Sequence, residues 1–214
     1  RAAWRPRATP TRQRPEPVRV TRVLQVRGDE ASGALNTLEK AGLVHPRRLS
    51  GGGSYEFTHA LIRDVAYEML LREQRRRLHG SVASALAEQV ISAHAGGVPG
   101  ELIAQHYVEA GETALAIPWL IDGVARANAA GAFDDALGLC ADGIALLAGD
   151  SLVGLAEVAN WDVELKYSRG LAFVWSRGPA MPESIEALKD AVLAAERADD
   201  AIATQLSRRW LGQA

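Results

Sequence analysis

The sequence predicts a mostly α-helical chain with one small β-hairpin toward its N-terminal end, and three observations carry that expectation. Alanine supplies 38 of the 214 residues, and it packs helices closely at no cost in side-chain entropy. Aromatic residues make up only 6%, so the bulky side chains that fill large sheets are scarce. Apolar positions recur at intervals of three and four in one segment after another, whereas two short β-rich runs flank a triple glycine.

Composition bounds the class. With 48% hydrophobic and 23% charged residues, the chain has the make-up of an ordinary globular protein, one domain or two small ones, and not that of a disordered one. Its apolar runs fall short of the ~18 residues a membrane span needs. The single cysteine, Cys140, has no partner for an internal disulfide, and no charged and then apolar leader opens the sequence; together these predict a cytoplasmic protein. Because it begins with Arg1 and enters abruptly into a partial motif, the sequence reads as a fragment of something longer. The net charge of −2 conceals a split: residues 1–80 carry 16 basic against 8 acidic side chains, and residues 81–214 carry 8 against 18. Two modules with different surroundings are expected.

Along the chain, residues 1–17 combine five arginines with four prolines and read as a flexible basic arm. Ala31, Ala34, Leu35, Leu38 and Ala41 lie on one helical face, and Gly42 ends that helix. Leu43–His45 and Tyr55–His59 read as strands around a turn-prone stretch from Pro46 to Gly53. A further helix is expected from Leu61 to Leu71. Helix, hairpin and helix in this order make residues 18–72 a winged-helix-like domain, with Gly51–Gly53 at the tip of the wing.

Beyond it, Leu78, Val82, Leu86 and Val90 step by four along a helix that closes near His94. After the break at residues 96–100, helical stretches are expected at about 101–110, 112–129, 133–148, 152–176, 183–198 and 200–212. Short turns between such helices give stacked helical hairpins. Asp135-Ala136-Leu137 and Glu186-Ala187-Leu188 open two helices that match in pattern at a spacing of 51, longer than a regular tetratricopeptide period. Gly131 at a turn, Phe133 and Ala136 fit one such hairpin, so residues 73–214 read as a tetratricopeptide-like solenoid with degenerate repeats.

The search for chemistry excludes more than it finds. No lysine follows a glycine anywhere, so the phosphate-cradling G-x-x-x-x-G-K-[ST] loop is absent and the chain alone is not expected to hydrolyse ATP. There is no G-x-S-x-G or H-E-x-x-H pattern, and Cys140 sits mid-helix as a small apolar filler. His106 and Glu109, three apart on one helix, could share a metal, but a third ligand at suitable spacing is missing, and a surface pair is the simpler reading. No metal site and no cofactor of this chain's own are therefore expected. Arg75, Arg76 and Arg77 could contact phosphate or an acidic partner, or form a solvated helix face. Residues 29–41 are net acidic, which repels DNA phosphates and leaves Arg47, Arg48 and the arm as the only counterweight.

Tyr55-Glu56-Phe57-Thr58-His59-Ala60-Leu61-Ile62-Arg63-Asp64-Val65-Ala66-Tyr67 closely resembles the end of the winged-helix domain in STAND-class signalling ATPases. The likeness continues through Arg75–His79, Ile103–Gly111 and Ala116–Leu120. These stretches are similar to the passage from winged helix to tetratricopeptide array in bacterial ATPases with adenylate cyclase or LuxR-type output domains. The resemblance implies that His59 takes the place of a Met-His-Asp histidine that touches the β-phosphate of bound ADP and holds the inactive state. Thr58 replaces the methionine and Ala60 the aspartate, so the carboxylate contact of that motif is missing. A histidine between a strand and a helix start could also donate to a phosphate on physical grounds, or could instead cap Asp64 or a backbone carbonyl.

The expected function is that of a non-catalytic regulatory and sensor fragment. A missing nucleotide-binding domain would hold ADP or ATP, and the helical array would bind a protein or small-molecule effector. Neither DNA nor a membrane is expected as a direct partner. The alternative is a freestanding winged-helix DNA-binding regulator with a helical ligand-sensing domain; a third reading is a scaffold that presents the helical array to a partner peptide.

Overall fold

The computed structural model describes residues 28–49, 52–93 and 98–212. The expected basic arm, the first ten residues of the winged-helix-like segment, Gly51 and His94 lie outside the described residues. The described chain is mostly helical, with one two-stranded antiparallel hairpin followed by helices. In order it forms α1 (Gly28–Lys40), β1 (Val44–Leu49), β2 (Gly52–Phe57), α2 (Ala60–Glu68), α3 (Arg72–Ala93) and α4 (Gly100–Ala110). There follow α5 (Thr113–Ala129), α6 (Phe133–Leu147), a 3-10 turn (Asp150–Leu152), α7 (Glu157–Arg177), α8 (Pro182–Arg197) and α9 (Ala201–Leu211).

The chain divides into two compact units, one within 12–98 with 106–111, the other including 99–105 and 112–214. The long helix α3, which the sequence assigns to the helical array, falls in the first of these. In that first unit, α1 ends at a left-handed Gly42 (φ 70°). The Gly42 and Leu43 amides close back on the carbonyls of Glu39 and Leu38, which satisfies helix-end acceptors that would otherwise be orphaned. The chain then enters the hairpin, whose register runs from Val44 opposite Phe57 to Leu49 opposite Gly52.

The strands are longer than the sequence implies. Pro46 pairs with Tyr55, and Gly52 and Gly53 belong to β2 rather than to the turn. In a two-stranded ribbon each strand has a free edge, so a proline that lacks an N–H is tolerated there. The helix expected from Leu61 to Leu71 is likewise interrupted. α2 stops at Glu68, and α3 restarts with the Leu71 amide donating to Gln74 Oε1 at 3.0 Å, the reciprocal half of a capping box.

In the second unit, α6, α7, α8 and α9 each pack against their neighbour in sequence, α5 against α6, and α7 also against α5 and α9. Ile117, Val124, Cys140, Leu152 and Leu165 form the core, with Leu137 and Trp161 against it. Close approach is secured twice by the same device. A Cβ at Gly143 would stand 2.8 Å from Leu165 Cδ1, and one at Gly170 would stand 2.8 Å from Leu188 Cδ2; each glycine makes room for a buried leucine of the next helix. Gly131 (φ 72°) turns α5 into α6, and Asp199 (φ 55°) adopts the same left-handed conformation between α8 and α9. The expected continuous helix 152–176 instead begins at Glu157, because Gly154 (φ 89°) breaks the right-handed course after the 3-10 turn.

Candidate functional site

His59 stands at the N-cap of α2 with extended φ and ψ (−136°, 139°). That geometry lets its carbonyl accept from the amides of Ile62 and Arg63, while the imidazole is exposed and makes no capping hydrogen bond. Asp64, the partner that a capping histidine would need, is taken instead by Arg63, whose Nε donates to Oδ1 at 2.8 Å. The first turn of α2 carries no acidic side chain, so the positive end of the helix is not neutralised locally.

The three candidate arginines of α3, Arg75, Arg76 and Arg77, separate by direction. Arg75 is half-buried, with its guanidinium carbon 5.2 Å from the centre of the Tyr67 ring, a cation–π arrangement. Arg76 donates from Nε to the Ala110 carbonyl at 2.9 Å and so caps the C-terminal end of α4, where cations are favoured. Its guanidinium occupies the space beside Gly111 (φ 81°), where a Cβ would stand 2.8 Å from Cζ. Arg77 is exposed. Within this unit, then, Arg75 and Arg76 have intramolecular work and Arg77 faces solvent.

Sequence reasoning missed the polar cluster beside them. His79 on α3 lies between Tyr67 of α2 and His106 of α4: Nε2 is 3.0 Å from the Tyr67 hydroxyl, and Nδ1 is 2.8 Å from His106 Nδ1. Two facing ring nitrogens make a hydrogen bond only if one carries a proton and the other does not. The triad therefore holds two self-consistent neutral arrangements, and a second positive charge would set two N–H groups against each other. Burial lowers the His79 pKa, opposed by the Glu109 carboxylate. Burial, and then the charge of His79, pushes His106 down to about 4. His106, read from sequence as the partner of Glu109 on a helix surface, is thus turned to His79. The signal that could have shown it is its place on the buried stripe Ile103, Tyr107 and Ala110 of α4.

Cys140 is fully buried, and burial pushes its thiol up to about 12 against the opposing effect of Arg169; it does not supply a thiolate nucleophile near neutral pH. Among the described residues there is no group of three or more histidine, cysteine or carboxylate side chains placed to hold a metal ion. No described helix is long and apolar enough to cross a membrane. Arg47 on β1, one of the candidate phosphate contacts for DNA, forms an ion pair with Glu56 across the hairpin. Comparison with protein-family models, with curated proteins and with solved structures found no match to the chain.

Proposed function

We propose that this chain is the regulatory portion of a STAND-type ATPase signalling or transcriptional regulator. Residues of the first unit from Gly28 to about Leu71 act as a winged-helix lid, and the helices beyond act as a tetratricopeptide-like sensor arm. The observation that carries the reading is His59: exposed, directly after a strand, at the N-cap of a helix with no acidic residue in its first turn. An imidazole there can join the helix-end dipole in holding a phosphate. The sequence likeness of residues 55–79 and 103–120 supplies the family, and the switch would consist of nucleotide contact by His59 biasing an off/on equilibrium that an effector on the helices shifts.

In the chain joined to its nucleotide-binding domain, His59→Ala should speed ADP dissociation by about tenfold, the loss of one hydrogen bond to a charged group. Unchanged ADP dissociation would refute the assignment. The DNA-binding alternative finds less support, since Arg47 is engaged by Glu56 and α1 carries Asp29 and Glu30 in its first turn. A gel shift on random duplex DNA at low salt, weakening steeply as salt rises, would restore it.

A further inference from the structure

In the second unit a cavity of about 590 Å³ opens between the end of α6, the 3-10 turn and its following loop, the start of α7 and the end of α8. Its size falls in the range of clefts that hold small organic ligands. Ile144, Leu147, Leu152 and Val158 give it an apolar wall. Leu152 belongs to the core and is 2% exposed, so this wall is anchored to the packed interior. The loop beside it does the opposite: Val153 is 84% exposed and Leu155 41%. Two apolar side chains held in water next to an apolar recess mark a surface that gains from being covered.

Charge at the cavity is not balanced. Three charged residues line it: Lys166, Asp162 and Arg197. Lys166 and Asp162, one turn apart on α7, form an ion pair at 2.6 Å, with side-chain exposures of 17% and 25%. They neutralise each other, yet an ammonium carries three donors, and Asp162 accepts only part of that capacity. Arg197 is fixed at the lining by its Nε, which donates to the Leu193 carbonyl at 2.9 Å. The lining thus carries one positive charge in excess, beside a largely apolar recess.

We infer that this cavity binds a small amphipathic monoanion, an apolar chain or ring ending in a single carboxylate, with the apolar part against Leu147, Leu152 and Val158 and the carboxylate at Arg197 and Lys166. The inference deepens the sensor role proposed for the helices by naming the chemical class of effector. Binding is measured on this chain alone, so its failure leaves the nucleotide test of His59 untouched, and the reverse holds equally.

Octanoate and octylammonium are suitable probes, because they share a chain and differ in the sign of the head. Titrated into the ¹⁵N-labelled protein, octanoate should saturate with shifts centred on the amides of Gly149, Gly154 and Ala159. Octylammonium should bind at least tenfold more weakly, and hexanoate about tenfold more weakly than octanoate for want of two buried methylenes. Arg197→Gln, at an exposed position that leaves the core intact, should reduce the preference for octanoate over octylammonium to less than threefold. Ala159→Trp should fill the recess and abolish binding of both. Equal affinity for the two heads, shifts centred on α2 instead of the cavity, or no saturable binding would overturn the inference. So would an Arg197→Gln protein that keeps the full preference.

Discussion

Helix α2 of the first unit and the core helices of the second treat apolar side chains in opposite ways. In the second unit Ile117, Leu120, Leu165 and Leu188 are wholly excluded from solvent. In the first, none of the residues described in α2 is buried, and Leu61 and Met69 are 73% and 79% exposed. What differs is how the apolar stripe is met. In the second unit α6, α7 and α8 each meet sequence neighbours on both sides and close a core with α5 and α9. α2 contacts β2 of the hairpin, and its outer stripe is left for something else to cover. An exposed apolar stripe of this kind is a surface that gains from being covered.

The comparison breaks most visibly at Leu165 and Leu61. Leu165→Ala should cost about 3 kcal/mol, through lost transfer energy and the cavity left behind. Leu61→Ala should cost less than about 0.5 kcal/mol. Trp119, Trp161, Trp175 and Trp210 all lie in the second unit, so urea unfolding followed by tryptophan fluorescence reads the first variant. Amide exchange of Thr58, which donates to the Leu43 carbonyl, reads the second. Equal costs at the two sites would remove the contrast.

Next in size is Gly170→Val. Branched carbon placed against Leu188 at 2.8 Å must push α7 and α8 apart, with a loss of about 2 kcal/mol. Gly131→Ala, at a turn with open space around it, should cost less, from backbone strain alone. A smaller effect is expected at the first unit's internal cap: Arg76→Met leaves the Ala110 carbonyl without its donor and should cost about 1 kcal/mol, read as faster amide exchange along the end of α4.

The histidine pair adds a pH dependence that belongs to the first unit. His79 and His106 both have folded pKa values below the ordinary 6.5, so the unfolded chain binds more protons between that value and about 4. Stability is therefore full above pH 6.5 and is lost as pH falls toward 4. Discounted for partial solvent access, the loss is on the order of 1 kcal/mol. Exchange of the α3 amides at pH 7 and pH 5 measures it, and His106→Gln should flatten the difference.

Much of the fold was readable in sequence because its signals are local. Gly42 and Gly131 mark helix ends by supplying positive φ, and the Leu78–Val82–Leu86 step marks the inward side of α3, where Leu86 is buried. The misreadings came where a local signal was outweighed. Pro46 and the glycines spoke for a long turn, but cross-strand pairing absorbed them. The Gln74 side chain restarted a helix where periodicity alone saw continuity. The candidate site divides in the same way. The place of His59 between strand and helix was legible because a strand, a histidine and a helix start adjoin in sequence. The Tyr67–His79–His106 cluster was not, because it joins residues up to 39 positions apart through packing that no local pattern encodes.

The most direct test of the nucleotide-reporting role proposed for His59 is its side-chain ¹⁵N spectrum in the chain joined to a nucleotide-binding domain of the proposed kind. Addition of ADP should shift the His59 ring signals, and adenosine, which lacks the phosphates, should leave them in place. An unchanged His59 spectrum at saturating ADP would contradict the role assigned to it.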